Sequence, residues 1–167
     1  MINALIYIVA VLAANYTATW FLPFPMFGQV SVGTLIFGIT FTQRDRVHHN
    51  GRKWVYVMIA VAALLSTISS LLGHVPARII IASFTAIMIS EIADTEVYQY
   101  FIHDKWMFRV LKSNLVSVPL DSTLFNVIAF TGVMSATTII SLIFGEIVLK
   151  GITSIVVALK KTKAEVY

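Results

Sequence analysis

Residues 77–101, "ARIIIASFTAIMISEIADTEVYQYF", decide how this chain is read. Ala77 to Ser90 is an apolar run; Glu91, Asp94 and Glu96 follow at once. As a helix, that run is about 21 Å long at 1.5 Å per residue. A membrane helix has to cross about 30 Å of hydrocarbon. A helix that spans must therefore continue through Glu91 and Asp94. One Asp at mid-bilayer costs about 3 kcal/mol on insertion scales, so acids at that depth are candidates for function. Glu91, Asp94 and Tyr98 are spaced i, i+3, i+7 and share one helical face. Glu96 points elsewhere and lies nearer the helix end. The plain structural role for such an acid is to pair with a lysine and hold two helices together.

The rest of the chain supports a membrane setting. Of 167 residues, 58% are hydrophobic and 12% charged, against about 25% charged in a soluble domain. The mean hydropathy is +0.86. Composition and length indicate a single all-α domain, residues 1–167, of the polytopic membrane class. Six candidate spans can be marked: Asn3 to Leu22, Phe27 to Gln43, Lys53 to Leu72, Ala77 to Phe101, Ser113 to Gly132, and Ala136 to Leu159. The net charge of +4 invites a nucleic-acid reading, but the positions of the charges oppose it. The segments "QRDRVHHNGRK", "HDKWMFRVLK" and "KKTK" carry nearly all the Lys and Arg, and all three fall on one side of a six-span plan. That asymmetry predicts both termini in the cytoplasm. Arg78 stands alone on the other side, and Lys150 lies inside the sixth span.

The fifth span answers the fourth. In "SNLVSVPLDSTLFN" (113–126) Asn114, Ser117, Asp121 and Phe125 form one stripe. Counted from the cytoplasmic ends of their spans, Asp94 lies about 10 Å deep, Asp121 about 12 Å and Glu91 about 15 Å. Lys150, near 13 Å by the same rise, is the natural counter-charge. Its other role is an i,i+4 pair with Glu146. Pro119 removes a backbone donor just before Asp121, as in a helix broken at a binding site. "TLIFGITFT" (34–42) and "TLFNVIAFT" (123–131) match in five positions, which suggests a 3+3 inverted repeat.

Several chemistries have no signature. There is no P-loop, no H-E-x-x-H and no G-x-S-x-G. With zero cysteines, thiolate nucleophiles and cysteine metal sites are excluded. His48 and His49 are adjacent but lack a partner acid, which is weak evidence for a metal. The expectation is no enzyme, no cofactor and no metal, because general acid–base chemistry would need a nucleophile or metal beside the acids. Ala10, Ala14 and Ala18 form a small-xxx-small ridge that allows close packing, internally or in a homodimer.

Between Ser90 and Phe130, "ISEIADTEVYQ" followed by "WMFRVLKSNLVSVPLDSTLFNVIAF" resembles the vitamin uptake transporter (VUT) family, whose described members carry queuosine precursors. The shared pattern is a Glu-x-x-Asp helix, an Arg, then Ser-Asn-x-x-Ser-x-x-x-Asp-Ser-x-x-Phe. The first half departs from it: after the second span, Asp45 and Gly51 correspond to an acid and a glycine of relatives, but His48, His49 and Asn50 do not. The resemblance implies import of a 7-deazaguanine, such as 7-cyano-7-deazaguanine, across a prokaryotic cytoplasmic membrane, with the lipid bilayer and the small molecule as partners. Carboxylates accept the paired N–H donors of an aminopyrimidinone edge, a role open to Glu91, Asp94 or Asp121. Asn114, Asn126, Ser117 and Ser122 suit the carbonyl and ring nitrogens. Tyr98, Trp106 and Phe125 suit stacking on the base. Arg109 can neutralise an acid in the empty site, and Lys150 and Glu146 are secondary candidates. The alternative is a substrate-binding subunit of an energy-coupling-factor type transporter, docking its ATPase partners on the alanine ridge.

Overall fold

The computed structural model describes the backbone of residues 2–24 and 28–160. The elements are α1 (Ile2–Tyr16), β1 (Phe21–Phe24), β2 (Gly28–Ser31), α2 (Val32–His48), α3 (Arg52–Leu72), α4 (Ala77–Tyr100), α5 (Trp106–Phe130) and α6 (Ala136–Lys160). Pairwise packing closes a cycle: α1 on α2, α2 on α6, α6 on α5, α5 on α4, α4 on α3, and α3 back on α1. Glu91 and Asp94 of α4, Ser117 and Asp121 of α5, and Glu146 and Lys150 of α6 are buried inside this ring. Large apolar side chains such as Leu5, Val9, Leu64, Ile68, Ile81, Ile140, Phe144 and Ile152 are exposed on the outside. This reverses the distribution of a water-soluble domain. Two helices, Arg52–Leu72 and Ala136–Val156, are long and apolar enough to cross a membrane by length and composition.

The first two predicted spans need correction. The helix begun at the N-terminus ends at Tyr16, and Phe21 and Leu22 belong to β1, paired with Ser31 and Val30 of β2. Pro23 disfavours a helical Leu22, and the Thr17 hydroxyl turns back onto the Ala13 carbonyl at 2.8 Å. At 15 residues, α1 is about 22 Å long, short of a full span. The second helix starts at Val32, with Phe27 outside the described residues. Ser31 caps it: its Oγ accepts from the Gly33 amide at 3.1 Å and donates to the Ala18 carbonyl at 2.9 Å, which ties the end of α1 to the start of α2. The helix then continues to His48, so Arg44 and Asp45 are helical rather than in a loop.

Where α1 and α2 meet, only glycine fits. A Cβ on Gly33 would lie 2.3 Å from the Ala14 carbonyl oxygen. Ala10, Ala14 and Ala18 are all buried, so the alanine ridge packs internally.

α5 begins at Trp106, about two turns before the expected Ser113, because the first part of the basic connection is itself helical. It runs unbroken through Pro119, so the proline deletes the bond to the Leu115 carbonyl without breaking the helix. The lone Arg78 on α4 donates to the carbonyls of Ile128 (2.7 Å) and Thr131. A cation there satisfies the last carbonyls of α5 and suits the negative end of its dipole. The segment match between α2 and α5 does not extend to their surroundings: Thr34 is buried and its counterpart Thr123 is exposed. Apart from the backbone of Lys160, the "KKTK" run lies outside the described residues.

Candidate functional site

The interior of the ring is polar in two layers. The first is built on α4, whose i, i+3, i+4 spacing turns Ser90, Glu91, Asp94 and Thr95 inward, all buried. Facing them is Arg44 of α2, 2% exposed. Its Nη1 donates to Glu91 Oε2 at 3.0 Å, and its Nη2 pairs with Asp94 Oδ2 at 2.8 Å and with Asp45 Oδ1 at 3.5 Å. Ser117 of α5 donates to Asp94 Oδ1 at 2.6 Å, while Oδ2 has the Arg44 ion pair and no regular hydrogen bond. Tyr7 of α1 is fully buried against this layer.

The second layer is built on α5 and α6. Lys150 Nζ donates to Asp121 Oδ2 at 2.7 Å, to Glu146 Oε2 at 3.0 Å and to Ser122 Oγ at 3.1 Å. Ser90 donates to Asp121 Oδ1 at 3.3 Å. The two alternative roles foreseen for Lys150 thus coexist in one triad. A narrow cavity of about 10 Å³ lined by Arg44, Ser90, Glu91, Ser117, Asp121 and Lys150 joins the two layers. Beyond the second layer, towards the hairpin, lies a narrow cleft with about 40 Å³ of free space. Asp121, Glu146 and Lys150 line its base, Phe125 one wall, and Asn15, Ser31, Thr34 and Ser83 its upper part.

Depth counting put Asp121 level with Asp94, but the structure sets it one turn further along. Ser117 is the residue opposite Asp94, and Asp121 lies opposite Ser90. The error came from the assumed start of α5. The counter-charge is also corrected: Lys150 serves Asp121 and Glu146, whereas Glu91 and Asp94 are held by Arg44.

Of the predicted site residues, the ring brings Glu91, Asp94 and Ser117 together in one layer, and Asp121, Ser122, Glu146, Lys150 and Phe125 in the other. It leaves the rest elsewhere. Tyr98 stacks against His48, with ring centroids 4.8 Å apart, and the Arg109 guanidinium lies 5.2 Å above the Tyr98 ring. Arg109 also donates to the Ile102 carbonyl at 3.2 Å, so its contacts are a carbonyl and a ring, not a carboxylate. Trp106 packs with Tyr98 and Val110. These three close the end of the ring that carries the basic connections and do not reach the cleft. Asn114 donates to Ser154 of α6 at 2.7 Å, and Asn126 to the Ser122 carbonyl at 2.8 Å; neither lines the cleft. Glu96 is half exposed, held by Arg52 and Tyr56, as its position on the helix predicted.

Arg44 is the site residue that sequence reasoning missed. Its signal was present: Thr40, Arg44 and His48 recur every four residues and are all buried. Among the described residues no group of three His, Asp or Glu side chains is arranged to hold a metal ion.

No curated protein and no solved structure matches the chain. The family model described as "Putative vitamin uptake transporter" matches residues 31–160, from the Ser31 cap to the end of α6. The matched region contains every charged residue of both layers, and the chain belongs to the vitamin uptake transporter family.

Proposed function

We propose that this chain imports a 7-deazaguanine base, with six crossings of the cytoplasmic membrane, the short α1 completing its crossing through the residues that follow it, and both termini inside. The observation that carries this reading is the cleft based on Asp121, Glu146 and Lys150. Its free space is about 40 Å³, room for a few waters, so the helices around it must part to seat a bicyclic base, as alternating access requires. Two carboxylates share one ammonium there, so the base of the cleft retains acceptor capacity for the adjacent N–H donors of an aminopyrimidinone edge. Binding would exchange one of the three Lys150 hydrogen bonds, to Asp121, Glu146 or Ser122, for one to the ring carbonyl of the same edge. Phe125 offers an apolar face on which the flat base stacks. The outward-facing apolar side chains supply the lipid contact that six crossings need, and α4 and α5 place their charges inside the ring, where intramembrane charges belong.

The test is uptake in cells that cannot make queuosine precursors and have this chain as sole importer. Asp121→Asn is expected to abolish rescue by 7-cyano-7-deazaguanine, because an amide presents an N–H where the base needs an acceptor. Failure of the native chain to rescue with any 7-deazaguanine would sink the substrate assignment.

A further inference from the structure

The two buried layers are not electrically matched. Among the described residues, the buried carboxylates Glu91, Asp94, Asp121 and Glu146 face two buried cations, Arg44 and Lys150. Uncompensated charge in a low-dielectric interior costs several kcal/mol per ion, and such groups relieve that cost by taking up a proton. The carboxylates differ in how well they are served. Asp94 accepts a hydrogen bond from Ser117 on Oδ1, and its Oδ2 lies 2.8 Å from Arg44 as an ion pair without a regular hydrogen bond. Asp121 takes a donor on each oxygen, from Lys150 and Ser90. For Glu91 the donor in place is Arg44, on Oε2 alone.

A second observation points to the same residue. The Tyr7 hydroxyl is fully buried beside Glu91, within hydrogen-bonding reach but not in regular hydrogen-bond geometry. A phenol both donates and accepts, so it can donate to the Glu91 carboxylate or accept from its protonated form. Glu91 also lines the cavity that leads to Asp121 and Lys150, so it touches the Arg44 layer on one side and a polar path to the cleft on the other.

We propose that Glu91 is the proton-binding site that couples solute uptake to a proton gradient. The proposal rests on the transport reading above and adds its driving ion. A proton arriving through the cleft neutralises Glu91 and removes one of the ion pairs that hold Arg44, while Asp94 keeps the other. The clamp between α2 and α4 loosens, the solute passes, and release of the proton to the opposite side restores the pair. The groups facing Glu91 are Tyr7 from α1, Arg44 and Asp45 from α2, Asp94 on its own helix, Asp121 from α5, and Lys150 of α6 across the cavity. From α3, Arg52 and Tyr56 hold Glu96 instead, and Lys53 is exposed. A proton fits this site better than a metal cation: the guanidinium occupies the position between the acids and would repel a metal.

The experiment uses the purified full chain in liposomes, 7-cyano-7-deazaguanine as solute, and either an inward proton gradient or a sodium gradient at equal pH. With one proton per solute, one pH unit supports up to about tenfold accumulation, and a protonophore should abolish it. Glu91→Gln should lose accumulation yet keep measurable solute exchange; Glu91→Asp should keep part of both. Accumulation that follows sodium at equal pH, or that survives Glu91→Gln, overturns the proposal. If no solute accumulates under any gradient, the substrate assignment has failed. The proton site is then judged without solute, by the infrared carbonyl band of a protonated carboxyl group. The band should grow as pH is lowered and shift in frequency in Glu91→Asp; a band identical in the two proteins also overturns it.

Discussion

Replacing Arg44 by Met keeps much of the side chain's length and removes its charge. Arg44 is 2% exposed and makes two close ion pairs, at 2.8 Å to Asp94 and 3.0 Å to Glu91. Breaking a buried pair from one side costs about 3–5 kcal/mol, mostly because the remaining charge is stranded. Here two carboxylates are stranded, so the upper part of that range applies. For a chain of this size each kcal/mol moves Tm by about 2–4 °C, which puts the expected loss at roughly 10 °C or more. The assay is thermal unfolding of purified protein in detergent, followed by circular dichroism. One control separates stranded charge from lost packing. The triple variant Arg44→Met, Glu91→Gln, Asp94→Asn should recover much of the loss, because paired removal of buried charges is often close to neutral. An Arg44→Met protein that melts with the wild type at neutral pH would refute the counter-charge role. A deficit unaffected by the acid-to-amide changes would assign it to packing.

Two further outcomes follow from the geometry. Gly33→Ala should destabilise the chain by about 1–3 kcal/mol through overpacking, since the new methyl meets the Ala14 carbonyl at 2.3 Å; the same melting assay checks it, and an unchanged Tm would mean α1 and α2 separate freely. Glu96→Gln should leave both Tm and 7-cyano-7-deazaguanine uptake where they are, because its contacts with Arg52 and Tyr56 are half exposed and exposed pairs contribute little; loss of uptake would bring Glu96 into the transport path.

Much of the polar interior is legible in the amino-acid sequence. Helical spacing alone puts Glu91 and Asp94 on one face, leaves Glu96 aside, and places Ser117 and Asp121 on one stripe of the next helix. Those are properties of a single helix, and periodicity reports them directly. The hairpin is not legible, because "TWFLPF" is apolar enough to extend a helix on composition. It leaves the helix because of Pro23 and the Ser31 cap, and the cap works by holding the carbonyls of Thr17 and Ala18, just past the end of α1.

The sequence by itself therefore determined that this is an apolar, helical chain with acids too deep to be solvated by bulk water, and which of those acids share a face. Only the tertiary structure decided which cation answers which acid. Arg44 reads in sequence as one of several basic residues beside a span, like Arg46 and Arg52; its burial depends on α2 running on to His48 and crossing opposite Glu91. Asp121 likewise sits opposite Ser90 rather than Asp94 because α5 starts earlier than its hydropathy suggests. Pairing across helices depends on relative axial offset and rotation, and the packing of the closed ring sets both.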